Sequence, residues 1–383
     1  MATNVAGERS TITVNTSAHI RAVDDKVIHN LEPDVAPFTR LLKKTATASP
    51  QGNRKVEWME DEYPVRRDVV VTGATAVATS VVMTTYMPFI KYSIWLVEET
   101  SEIIRVTTTA STTTVAIARA VGGSTGAAIT AGDTLRHLGS AYTENTALQA
   151  AVSVQKTMPF NNIQDIRDAV DLSDHQINAN EYGGPDLPYQ IKKKLIEHMT
   201  HINNLLFFGS RGVVSSTTQY TMGGLDEFIS TNDLDVSGTG FLTRQTFTDF
   251  LADVFRYGSK RKLIVGGAPF IRAVEGWGWD LQRLMPSASK IGINIATYES
   301  AFGTLGIMYD PNTLEGDTYG GYAYILDMEN ISMVHHKGNI GPTHLKDQTR
   351  TRTNSGELFE YRTNLTMTRK LEKTHGRIKG IEA

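Results

Sequence analysis

A chain of 383 residues, 40% hydrophobic and 21% charged, is long enough for one large domain or two to three smaller ones. A net charge of −3 excludes a globally basic protein that grips nucleic acid by neutralising phosphates, and the absence of cysteine excludes disulfides, thiolate metal sites and cysteine nucleophiles. No secretory leader pattern and no run of about 18 apolar residues is present, so we expect a soluble protein made in a reducing cytoplasm.

Residues 1–60 are polar, with one apolar patch in Asp34–Leu42 formed by Pro37, Phe38, Leu41 and Leu42. So little burial does not offset the ordering entropy of the segment, and other copies of the chain are expected to hold it down. From Arg54 the pattern turns extended: Lys55–Glu60 alternates, and Val69–Val71 and Val81–Met83 are strand material. Between about 92 and 145 lies a stretch dense in Thr, Val, Ile and Ala. Its strands are expected at Ser101–Thr109, Thr112–Ala118 and Asp133–His137, around a plain hairpin loop at Val121–Gly126 (VGGSTG). We read it as an inserted β-subdomain.

Leu187–Phe208 is the strongest helix, with Pro188 in its first turn, Gly209 at its stop and a stripe of Ile191, Leu195, Met199, Ile202 and Leu206. A second helix is expected over Thr243–Tyr257, followed by a buried strand Lys262–Val265 and a short helix around Pro269–Glu275. Ile293–Tyr298, Gly303–Tyr309 and Tyr322–Asp327 supply further strands. In Leu358–Thr368, alternation puts Tyr361, Thr363, Leu365 and Met367 on one face.

Chemistry is sparse. VGGSTG lacks the lysine and following helix of a phosphate loop. His198 and His201, three apart, lack the intervening glutamate of a zincin and are read as packing or solvent-facing. His335-His336 is a poor chelate because adjacent side chains diverge. Glu60-Asp61 and Glu98-Glu99 are read as surface pairs, and Asp327 and Glu329 as turn or cross-strand partners. The basic residues Arg350, Arg352, Arg362, Arg369, Lys370, Lys373, Arg377 and Lys379 gather near the C-terminus, where they face DNA, pair with acids of a neighbour or solvate a surface. No catalytic, cofactor-binding or metal-binding set is expected.

The order of segments resembles the major capsid proteins of tailed bacteriophages with the Hong Kong 97-type fold, in the SU-ten-phage-like branch. Val27–Leu42 followed by Val56–Asp61 is similar to the family's N-terminal arm leading into its extended loop. Gly132–Asn145 is similar to the branch's insertion, Asn161–Asn178 with Pro188–Phe208 to a peripheral domain with its spine helix, and Gly223–Asp226 with Thr243–Gly267 to the start of the axial domain. Asn364–Ile381 is similar to the closing strand. Lys346–Thr353 (KDQTRTRT) is more basic than the family pattern.

The resemblance implies an α+β fold with an N-terminal arm (1–54), an extended loop (55–160) carrying the insertion at about 92–145, a peripheral domain (161–222), an axial domain (223–345) and a return to the peripheral domain (346–383). It implies a shell protein in the virion, assembled in the host cytoplasm from hexamers and pentamers of itself around double-stranded DNA. A separate scaffolding protein, a portal and a decoration protein are the expected partners, with no membrane and no cofactor. Expected inter-subunit contacts are Phe38 and Leu41 in the arm and Trp58, Glu60, Asp61, Arg66 and Arg67 in the loop. Competing readings are an encapsulin-like compartment shell, a hydrolase with a β appendage and another virion part such as a tail or decoration protein.

Overall fold

The computed structural model describes residues 36–45, 47–63, 66–85, 88–146, 155–179, 185–213, 219–281, 285–286, 295–338, 343–351 and 355–382. Residues 1–35 of the expected arm and Arg352 lie outside the described residues. Contacts divide the chain into two units: a body of residues 1–58 and 160–383, and an insertion of residues 59–159.

The body begins with helix α1 (Pro37–Thr45) and strand β1 (Lys55–Glu57). Phe38 and Leu42 are fully buried, Leu41 nearly so, and all three sit in a core cluster with Leu206 and Phe207 of the same chain. Asn203 fixes the docking: its Oδ1 accepts from the N–H (3.1 Å) and hydroxyl (2.9 Å) of Thr39. Its amide donates to Asp310 (2.7 Å) and Thr313 (2.6 Å), both buried. Within residues 36–45, then, the apolar side chains are buried against the chain's own core.

In the insertion, β2 (Arg67–Thr72), β3 (Ser80–Met83), β4 (Ser93–Val97), β5 (Ile103–Val106), β6 (Thr114–Ala118) and β7 (Thr134–Ser140) close into a barrel in the order β2-β3-β6-β5-β4-β7. Alternate residues fill it, among them Val70, Met83, Trp95, Ile104, Val115 and Leu135. The barrel therefore begins at Arg67, not near residue 92. The valine runs expected in the extended loop supply β2 and β3, without which the remaining strands would expose two unpaired edges. The Gly-rich run is more than a hairpin loop. Buried Glu102 accepts from Arg119 (Nε 2.7 Å, Nη2 2.6 Å) and from the N–H groups of Ala120 and Ala127. This cinches the loop onto the barrel.

The chain re-enters the body with β8 (Phe160–Asn162), which pairs antiparallel with β1, and β9 (Gln164–Leu172). Helix α2 (Asp186–Phe208) follows; its 23 residues span about 35 Å. A small hairpin, β10 (Gly212–Val213) and β11 (Tyr220–Thr221), leads to β12 (Asp233–Asp235), α3 (Arg244–Val254), β13 (Arg261–Gly266) and α4 (Ala268–Leu281). Next come β14 (Met285–Pro286), β15 (Ile295–Glu299), β16 (Thr304–Tyr309), β17 (Ala323–Leu326), β18 (Ile331–His335), β19 (His344–Asp347), β20 (Glu357–Arg369) and β21 (Gly376–Lys379). Seven strands form one sheet, β12-β21-β17-β13-β16-β15-β14.

Strand β13 is buried on both faces, and its period of two divides the core. Leu263 and Val265 join the cluster under α2; Ile264 joins Phe247, Phe250 and Leu251 of α3 and Phe270 of α4. Thr243 caps α3 by accepting from the Thr246 N–H. Long β20 pairs with β9 along one side and with β18 and β19 along the other. Its residues from Thr363 to Arg369 are all buried, so both faces are covered where alternation predicted one.

Candidate functional site

Strands β1 and β8 mark where the chain leaves and regains the body, and the insertion opens with the pair Glu60 and Thr157, which exchange two backbone hydrogen bonds of 2.9 Å. That register places Met59 opposite Met158. Both are exposed, at 68% and 55%, and Tyr63 is 93% exposed. Strand alternation is the cause: Trp58 and Met59 are adjacent, so burying one turns the other outward. Trp58 is buried, within 6.5 Å of the Phe228 ring. The sequence reasoning chose Trp58 and missed Met59, Tyr63 and Met158, although the run Trp-Met already contained the signal.

Charges flank the apolar spots. Asp61 and Glu62 are exposed, as are Arg66 and Arg67. Arg67 and Arg136 both bind Glu98, whose carboxyl is held below its ordinary value, first by the hydrogen bond from Arg136. Glu98 is thus an ion-pair partner within the barrel. Phe38 and Leu41 offer no free side-chain surface here, because the core described above covers them.

The two histidines of α2 take different places, His198 packed inside and His201 exposed. His198 is fully buried, and its Nδ1 lies 2.6 Å from Asp168 while its Nε2 lies 2.7 Å from the Thr363 hydroxyl. Asp168 also meets His201 at 3.2 Å. The Asp–His–hydroxyl order matches a hydrolytic triad, but Thr363 is itself fully buried and shares its hydroxyl with Thr343 (2.9 Å), which leaves no approach for a substrate. Among the described residues no three acidic or histidine side chains are arranged to hold a metal. A groove of about 420 Å³ at the end of α2 is lined by Leu205, Phe208, Val213 and Met222 among others, with no titratable side chain.

The C-terminal basic residues divide: Arg350, Lys370 and Lys373 are exposed, while others are engaged inside the chain. Arg377 binds Asp226 (2.6 Å) and Asp233 (2.7 Å), Lys379 binds Asp233 (3.0 Å), and Arg369 is buried. Asp327 serves a turn, accepting from the N–H groups of Ser259 and Glu329 and from the Asn330 amide.

A family model for the SU10 major capsid protein matches residues 9–382. No curated protein matches the sequence. Among solved structures, a chain of Mycobacterium phage Bobi matches with a TM-score of 0.52 at 8% identity, covering 97% of this chain and 99% of that one. The capsid of a native GTA particle matches with a TM-score of 0.51 at 8% identity, with the same coverage. The holo-SrpI encapsulin of Synechococcus elongatus PCC 7942 matches at 0.41 and 8% identity over 59% of this chain and 76% of that one.

Proposed function

Since the chain belongs to the SU10 major capsid protein family, has the Hong Kong 97-type fold and is a capsid shell protein, we propose that it joins sister copies through the stem at the base of its barrel insertion. The observation that carries this is the exposure of three large apolar side chains close to the Glu60–Thr157 pair, Met59 and Met158 beside it and Tyr63 three residues further on. Isolated exposed apolar residues are ordinary, but three large ones on so few residues suit a surface that another chain covers. Glu60 and Asp61 at one end, and Arg66 and Arg67 at the other, supply charges of opposite sign that steer and register a partner carrying the same set. Trp58, also expected at this contact, is buried in the isolated chain beside the Phe228 ring.

The copies assemble as hexamers and pentamers in the host cytoplasm, on a separate scaffolding protein, with a portal and a decoration protein as further partners and packaged DNA met non-specifically. The domain scheme proposed is an arm to residue 54, a loop with insertion to 160, a peripheral domain to 222, an axial domain to 345 and a peripheral return. Catalysis is no part of this reading, since the triad-like arrangement found among the described residues is sealed. Family membership separates it from an encapsulin-like compartment and from a tail or decoration protein.

The test is the double variant Met59→Ser, Met158→Ser. The subunit's circular dichroism and melting point should stay as in the parent, and closed shells should be lost from sedimentation profiles and negative-stain images. Normal shells in normal yield would overturn the stem assignment. Trp58→Ala also impairs shells, but it opens the contact with Phe228 and so perturbs fold and assembly together.

A further inference from the structure

The buried His198 sits in a line of hydrogen bonds that no assembly role requires. From one end, the Lys43 ammonium on α1 donates to the Thr343 hydroxyl (3.2 Å), Thr343 and Thr363 share a bond of 2.9 Å, Thr363 meets His198, and His198 ends on Asp168 of β9. The line ties α1, α2, β9, β20 and the residue before β19 at one point.

The groups facing His198 are few. They are Asp168 from β9, His201 from its own helix, Lys43 from α1, and Thr363 and the stacked Tyr361 ring (5.9 Å) from β20. One carboxylate thus serves two imidazoles, while the Lys43 ammonium at the far end of the line has none beside it among these groups. With His198 neutral, its Nδ1–H donates to Asp168 and the line carries one ammonium, that of Lys43. With His198 charged, a cation lies at each end of the Lys43–Thr343–Thr363–His198 line, and His201 competes for the same carboxylate.

We propose that His198 is an acid-sensitive latch, whose protonation loosens the docking of α1 on α2 and β20. Burial lowers the His198 imidazole below its ordinary value more than Asp168 raises it, and burial likewise lowers Lys43. A histidine depressed in the folded state binds its proton more readily once the site opens. Stability is therefore complete above the ordinary histidine value and falls as pH drops below it. Opening this latch uncovers Phe38 and Leu42 together with their seat on Phe207, an apolar surface that only another protein segment can cover.

Hydrogen–deuterium exchange of the full-length protein, followed by mass spectrometry and corrected for intrinsic rates, tests this between about pH 7.5 and about pH 5.5. In the parent, peptides spanning residues 37–45 should exchange several-fold faster at the acid end, while barrel peptides stay unchanged. His198→Gln should abolish the difference, and His201→Asn should retain most of it. If His198→Gln does not fold, Lys43→Met reports instead, since removing the second cation should shrink the difference. No acid response in the parent, or an equal response in His198→Gln or Lys43→Met, would overturn the proposal.

Discussion

The barrel and the body solve the same problem of burial by different means. The barrel closes its backbone hydrogen bonds on itself and fills its interior with apolar side chains, and its buried polar groups Asp68, Ser93, Glu102 and Asp133 find partners no more than 25 residues away. The body packs sheets and helices in layers and inserts polar side chains where distant segments meet: Asn203 with Thr39 and Asp310, His198 with Asp168 and Thr363, and Lys262 with the carbonyls of Tyr257 and Thr374. A closed barrel of short-range strand pairs needs little further instruction. A layered body assembled from segments some 160 residues apart needs contacts that only one arrangement satisfies, and buried polar groups provide them because leaving them unpaired is costly.

Substitutions can break or sharpen that contrast. The largest effect is expected for Trp95→Ala, which empties the barrel beside Phe89. It should cost the barrel about 3–5 kcal/mol in a denaturation series, with protease cutting within residues 59–159 and the body left intact. Asn203→Leu should cost the body about 2–3 kcal/mol, because buried Thr39 loses its side-chain acceptor and buried Asp310 loses one of its donors; loss of α1 protection in hydrogen exchange would show where.

Glu102→Gln separates the two regions by pH. Burial pushes the Glu102 carboxyl up, but hydrogen bonds from Arg119, Ala127 and Ala120 outweigh it and hold it below the ordinary 4.5. The stabilisation is present above that value and lost as pH falls below it. Melting curves of the parent should show a barrel transition that weakens in this acid range, and the variant should lack that dependence. The smallest effect on stability belongs to Met59→Ser, within about 0.5 kcal/mol, measured on subunits that no longer form shells.

Local periodicity carried much of the fold. The long helix is expected at Leu187–Phe208 and found at Asp186–Phe208, stopping at Gly209, where a Cβ would come within 2.5 Å of the Leu205 carbonyl. The strands at Ile103–Val106 and Thr114–Ala118 lie within their expected ranges. Which face of the long helix is buried was less legible. Its expected stripe includes Ile191 and Leu195, which are only half-buried, whereas His198 and Asn203 are fully covered. Apolar periodicity does not register a polar side chain whose partners lie on other strands. Barrel closure escaped for a similar reason, since Val69–Val71 reads alike in a loop or a barrel until β2 finds both β3 and β7. At the proposed stem, the run Trp58-Met59 was legible as apolar, but which of the two the fold buries depends on Phe228, far away in sequence.

The way the barrel is attached has its own consequence. The chain enters it just before Glu60 and leaves it just after Thr157, and those two residues are bonded to each other, so the excursion starts and finishes at one place. A tight turn could therefore replace the excursion between Glu60 and Thr157, removing Asp61, Tyr63, Arg66 and Arg67 while the body keeps its own hydrogen bonds. Such a shortened chain would fold as a body and separate what that body does alone from what the excursion adds.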